Sequence, residues 1–209
     1  MPKLINLLPT KFDRKNLKCQ HFLPTLRSRG SARLQTLNTK NEIYSTALHK
    51  ILPAIYYRKE KGVYVDLGCG ESSDVFGMAK YGYESYGLDL FDLDEKYLNP
   101  AQHPIIAKKL YQTMKNAHFI KQDCCENWNI KADVITSNAM LPLINPIEIS
   151  LFLTQIKKNL KKGGLLSIFY SPLVCGYKID SDVIKKYLIE NNFKILNKEK
   201  DYLIIAIKQ

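Results

Sequence analysis

Long apolar runs are missing. No stretch of the 209 residues approaches the roughly 20 apolar positions that span a bilayer, so no membrane partner is expected. A small-residue cleavage site is missing too, and the apolar stretch within residues 1–15 is too short for a secretory leader. A cytoplasmic location is the expectation. The five cysteines (Cys19, Cys69, Cys124, Cys125, Cys175) form no C-x-x-C pair, and the only close pair is adjacent. That spacing opposes a zinc site and a disulfide framework, so reduced thiols and no bound metal are expected. Acidic residues are nearly absent from residues 1–40, where nine basic side chains face the single acid Asp13. This segment carries most of the net charge of +11. It reads as a basic arm or lid, either solvated or suited to polyanions such as nucleic acid.

What is present is the composition of one globular domain, with 45% hydrophobic residues and no internal repeat. From residue 41 onward the pattern becomes periodic. Ile43, Ala47, Leu48, Ile51, Leu52 and Ile55 recur at helical spacing, with Thr39 or Asn41 as candidate caps and an end near Arg58. Val63 to Leu67 reads as a buried strand running into Gly68-Cys69-Gly70. A helix is predicted from Ser73 to Tyr81, and a second strand from Tyr83 to Leu88, ending at Asp89. Asn99-Pro100 and His103-Pro104 break the pattern before a helix from Ile105 to Asn116. Strands follow at His118 to Gln122 and Asp133 to Ser137, then a helix from Pro146 to Leu160. Lys161-Lys162-Gly163-Gly164 reads as that helix's glycine stop. Leu165 to Tyr170 is a fifth strand, and a helix capped by Asp180 or Ser181 reaches Asn192. Phe193 to Lys198 and Tyr202 to Lys208 close the chain as a hairpin.

Alternating strands and helices predict an α/β fold: a doubly wound, mostly parallel seven-stranded sheet with a C-terminal antiparallel hairpin and helices on both faces. Ligands bind such sheets beyond the carboxyl ends of the strands, where the strand order reverses. The first strand presents Asp66-Leu67-Gly68-Cys69-Gly70 there, the second Asp89, the third Asp123 and the fourth Ser137-Asn138. The glycines permit a tight turn and close backbone approach. The following helix aims its N-terminus at the same place. An acid about 20 residues on suits ribose hydroxyls. These features describe any nucleoside-binding domain. The dinucleotide fingerprint, however, needs Gly or Ala where Ser73 stands.

Asp66-Leu67-Gly68-Cys69-Gly70 resembles the first motif of class I S-adenosylmethionine-dependent methyltransferases. The likeness continues in order through residues 81–89, Ile120 to Asp123, Ala132 to Asn138 and Lys161 to Leu166, and covers residues 41–209. One position departs from the pattern, because Ser72 stands where many members have a third glycine. The resemblance implies a cofactor, S-adenosylmethionine, left as S-adenosylhomocysteine. Gly68, Cys69 and Gly70 would lie along its methionine moiety, with Asp66 orienting it. Asp89 would hold the ribose, and Leu90 would pack on the adenine. Asp123 would accept from the adenine amino group, and the Cys124 backbone would face the ring edge. Asn138 would stand between cofactor and acceptor, with Met140 and Leu141 on the substrate side. No general base is singled out, since an activated methyl needs alignment more than proton transfer.

Ser137-Asn138-Ala139-Met140-Leu141-Pro142 lacks the Pro-Pro-aromatic run of amino-methylating DNA enzymes, and the Pro-Cys nucleophile of cytosine C5 enzymes is absent. Residues 78–89 look more like small-molecule methyltransferases. The favoured expectation is therefore a small-molecule acceptor. A nucleic-acid methyltransferase using the basic arm and a non-catalytic cofactor-binding regulator are the alternatives.

Overall fold

The computed structural model describes residues 45–56, 60–70, 73–90, 114–170, 176–197 and 202–209. The predicted arm at 1–40 and most of the predicted helix at 105–116 lie outside these residues. The elements, in chain order, are α1 (Thr46–Tyr56), β1 (Val63–Leu67), α2 (Ser73–Lys80), β2 (Glu84–Asp89), β3 (Ala117–Lys121), β4 (Ala132–Asn138), α3 (Ile149–Asn159), β5 (Leu160–Phe169), α4 (Ser181–Glu190), β6 (Phe193–Ile195) and β7 (Leu203–Lys208). The sheet order is β3-β2-β1-β4-β5-β7-β6. Every pairing from β3 to β5 is parallel, and β7 runs antiparallel between β5 and β6. The order reverses between β1 and β4, so their carboxyl ends border the natural binding crevice.

Strand alternation sends side chains to two cores. Tyr64, Val134 and Leu165 pack under α1 and α2 with Leu48, Ile51, Val75 and Phe76. Val65, Leu67, Ile135, Leu166 and Ile168 pack on the other face with Phe152, Leu153, Ile156 and Leu188 from α3 and α4. A parallel sheet covered on both faces favours strands that are apolar throughout, as β1 and residues 165–169 of β5 largely are, whereas β4 also buries Thr136 and Ser137.

Several boundaries differ from expectation for local reasons. Ser45 caps α1, its Oγ accepting from the Leu48 amide at 3.2 Å, whereas the candidates Thr39 and Asn41 lie outside the described residues. Met114 to Asn116 is turn rather than helix. Asn116 Nδ2 donates to the carbonyls of Ala79 and Tyr83, both at 2.8 Å, and fixes the entrance to β3. Pro146–Glu148 forms a 3-10 turn, capped by Asn145, before the α-helical hydrogen bonding of α3 begins at Ile149.

The expected glycine stop at Lys161 to Gly164 is overturned. The chain turns extended at Leu160, which pairs with Ala132, and residues 161–164 belong to β5. Lysines cap α3 instead. Lys208 Nζ donates to the carbonyls of Lys157 and Leu160 at 2.6 Å, and Lys131 Nζ donates to Lys158 O at 2.8 Å. Cations at a helix C-terminus satisfy its last carbonyls and its dipole. Partial burial, then the nearby charges of Lys131 and Lys157, push the Lys208 amine below its ordinary pKa.

Candidate functional site

The end of β2 is the hub of the site. The amides of Gly68 and Cys69 donate to Leu88 O at 2.8 and 3.2 Å, and the Gln122 amide donates to Asp89 O at 3.0 Å. The Gly70 amide donates to Asp89 Oδ2 at 2.8 Å. The turns after β1, β2 and β3 are thus tied together, which brings Gly68, Cys69, Gly70, Asp89 and Gln122 to one place. Leu90 stands half-buried just beyond Asp89.

Gly68 and Gly70 both have left-handed backbones, with φ of 70° and 49°. A Cβ added at Gly68 would lie 2.4 Å from Met140 Sδ. The loop after β4 therefore packs directly on the glycine turn. At Gly70 no atom of the described residues comes within 4 Å of a Cβ position.

Asp66 lies beneath this turn, buried. Thr136 Oγ1 donates to Asp66 Oδ1 at 2.9 Å and lies 2.6 Å from the Tyr64 hydroxyl. Threonine has one hydroxyl proton, so Tyr64 donates to Thr136 and Thr136 to Asp66. Burial, then the charges of Asp66 and Asp74, push the Tyr64 phenol well above its usual pKa, which keeps that proton in place. The chain joins β1 to β4 at the point where the strand order reverses. Thr136→Val should lower the unfolding free energy by about 1–3 kcal/mol, because buried polar partners lose their bond. Urea denaturation of the variant checks this; an unchanged midpoint would contradict it.

Asp123 closes a turn by accepting from the Cys125 amide at 2.8 Å. Cys124 points into the core, with Trp128 Nε1 donating to its carbonyl at 3.4 Å. Burial raises the Cys124 thiol pKa far above normal, which leaves it un-ionised. The Cys69 side chain is buried as well, in the space that Gly87 leaves open. Both cysteines thus present backbone, not thiol, to the crevice. Cys124 should resist iodoacetamide in the folded chain and react once it is denatured, as peptide mass mapping would show; rapid native labelling would contradict its burial.

Asn138 ends β4 beside Phe169, its Oδ1 accepting from the Ala47 amide at the start of α1 at 3.4 Å. Ala139 follows with a φ of 62°, a left-handed conformation that costs a non-glycine residue about 1–2 kcal/mol. Its amide donates to Phe169 O at 2.7 Å. The kink carries Met140 over Gly68, while Leu141 is fully buried in the core. Ser137 Oγ, buried at the end of β4, has no hydrogen-bond partner among the described residues.

Sequence reasoning missed Tyr64, Thr136, Asp74 and Ser45. Asp74 is buried and accepts from the Ser45 amide at 2.8 Å, docking α1 over the site. Part of this was readable from period-two alternation, which places Tyr64, Asp66, Thr136 and Asn138 on one face. Among the described residues, no group of three or more His, Cys, Asp or Glu is placed to hold a metal ion, and no helix is long and apolar enough to cross a membrane.

Residues 58–204 match the family model described as Methyltransferase domain. No curated protein matches the chain. Among solved structures, a TehB-like S-adenosylmethionine-dependent methyltransferase from Corynebacterium glutamicum is 16% identical, with a TM-score of 0.62, over 89% of this chain and 99% of that one. Magnesium protoporphyrin IX methyltransferase from Synechocystis, solved with bound S-adenosylmethionine, is 16% identical, with a TM-score of 0.61, over 97% and 100%. A Burkholderia thailandensis 1,6-didemethyltoxoflavin-N1-methyltransferase, solved with that compound and S-adenosylhomocysteine, is 15% identical, with a TM-score of 0.60, over 97% and 93%. The family match spans well over half of the chain, and the strand order and the loop motifs agree with it: the chain belongs to the methyltransferase domain family, as a class I S-adenosylmethionine-dependent methyltransferase.

Proposed function

We propose that the chain methylates a small-molecule acceptor, with the cofactor held between the glycine turn and the end of β2. The observation that carries this reading is the Gly70–Asp89 bond, which sets a carboxylate beside the glycine turn. A carboxylate has about four acceptor positions, enough to serve the Gly70 amide and a pair of vicinal ribose hydroxyls. Leu90 would cover one face of the adenine. Asp123 and the Cys124 backbone would line its edge. The Gly68, Cys69 and Gly70 backbone would follow the methionine moiety, whose cationic centre suits a crevice ringed by Asp66, Asp89 and Asp123. The buried Ser137 hydroxyl is one donor that a bound ligand would satisfy.

S-adenosylmethionine, when bound, would supply a methyl activated by its sulfonium leaving group, with the C–S electron pair passing to sulfur and any acceptor proton to solvent. The chain's own work is alignment and exclusion of water. Asn138 and Met140 would hold the acceptor about 3–3.5 Å from the methyl, with the buried Leu141 backing Met140 from the core.

The small-molecule reading draws on two neighbours whose acceptors are small molecules and on the missing Pro-Pro-aromatic run after β4. A nucleic-acid acceptor gripped by the basic residues 1–40 is the second reading, favoured by their charge. Methyl-labelled S-adenosylmethionine, incubated with the full chain and a cell extract and then fractionated, separates the two. Label should enter the small-molecule fraction. Label in nucleic acid would overturn the acceptor class, and cofactor binding with no transfer to any fraction would favour a regulatory role.

A further inference from the structure

Among the described residues, three that are not glycine have left-handed backbones: Ala139, Asn192 and Tyr202. Asn192 is ordinary, since it follows the C-cap of α4, where asparagine tolerates that conformation. Ala139 and Tyr202 have no such excuse, and a bulky aromatic is a poor choice at a φ of 67°. Both flank the carboxyl end of β5. Ala139 N donates to Phe169 O at 2.7 Å, and Tyr170 N donates to Tyr202 O at 2.8 Å. They stand two strand spacings apart, about 10 Å.

Each kink aims a side chain. At Ala139 it sends Met140 over Gly68. At Tyr202 it sets the ring edge-on to Tyr170, with centroids 5.9 Å apart and planes at 75°. Tyr170 is 4% exposed and acts as the fixed base; Tyr202 is 42% exposed. The segment after β5 is pinned to the same rim. The Tyr177 amide donates to Pro142 O at 2.8 Å, and Gly176 comes so close that a Cβ would stand 2.0 Å from that oxygen. The carboxylates gather at the ends of β1 to β3, whereas Met140, Tyr177 and Tyr202 give this side of the rim an apolar and aromatic component. Backbone strain held at a crevice, and spent on exposing a ring, marks a ligand contact rather than a packing solution.

We infer that Tyr202 and Met140 wall the acceptor site, and that the acceptor is a flat aromatic or heteroaromatic small molecule lying against the Tyr202 ring. The inference rests on the methyltransferase reading. The test uses the full chain saturated with S-adenosylhomocysteine and two probes of matched size, planar 2-naphthol and saturated decahydro-2-naphthol, measured by equilibrium dialysis. 2-Naphthol should bind about three- to tenfold tighter than its saturated counterpart, the range that one ring–ring contact provides. Tyr202→Ala and Tyr202→Asn should each weaken 2-naphthol about tenfold, and Tyr202→Phe should retain it. S-adenosylhomocysteine affinity should be unchanged in all three variants, which also reports an intact fold. No 2-naphthol binding to the parent chain, equal binding of the two probes, or undiminished binding to folded Tyr202→Ala would each overturn the inference. Failure of the parent chain to bind S-adenosylhomocysteine would instead overturn the reading beneath it.

Discussion

Asp89→Ala should weaken S-adenosylhomocysteine binding by at least about 100-fold while leaving the sheet intact. Hydrogen bonds to a charged carboxylate are worth about 1.5–3 kcal/mol each, and two ribose hydroxyls would lose theirs together; every 1.4 kcal/mol is tenfold. The same substitution frees the Gly70 amide from its 2.8 Å bond, so the glycine turn also loses a fixed point. Asp89→Asn should fall between the two, because a neutral amide oxygen can still accept. Isothermal calorimetry reads the affinities and circular dichroism the fold. Full affinity in a folded Asp89→Ala chain would remove the ribose site from β2.

Gly68→Val should abolish measurable binding and also destabilise the chain. The two effects have separate origins. A β-branched residue at a φ of 70° is strained by at least about 1–2 kcal/mol. The new Cβ would also meet Met140 Sδ at 2.4 Å, Cγ at 2.8 Å and Cβ at 3.0 Å, so that whole side chain must move. Together these should lower the unfolding free energy by about 2–4 kcal/mol. Adding Met140→Ala should recover part of the stability, because the two residues touch and their effects are coupled. It should not recover binding, because a valine at that left-handed φ would still distort the turn proposed to follow the methionine moiety. Equal stability of Gly68→Val with and without Met140→Ala would show that the contact does not govern the loss.

β1, β2 and β4 were legible because each is a short run leading into a small, amide or acidic residue at the crevice. Asp66, Gly68, Asp89 and Asp123 mark those ends in the sequence, and the structure places all four at strand ends on one side of the sheet. The hub at Leu88–Asp89 was not legible, because it is made by backbone carbonyls that any residue carries. The stretch from Lys161 to Gly164 misled for a definite reason. Glycine after a lysine-rich helix end usually closes the helix, but here three-dimensional neighbours, Lys131 and Lys208, supply the cap, and the chain is released into β5. The exposed ring of Tyr202 and the kink at Ala139 were equally hidden, since a left-handed φ at Ala or Tyr runs against the preference of both residues.

The central claim is that the crevice at the ends of β1, β2 and β4 holds the cofactor. A crystal structure of the full chain with S-adenosylhomocysteine tests it most directly. The ligand should lie with its ribose hydroxyls on the Asp89 carboxylate, its adenine between Leu90 and Asp123, and its homocysteine sulfur near Asn138 and Met140. Density for the ligand anywhere else, or an Asp89 carboxylate turned away from the ribose, would contradict the account.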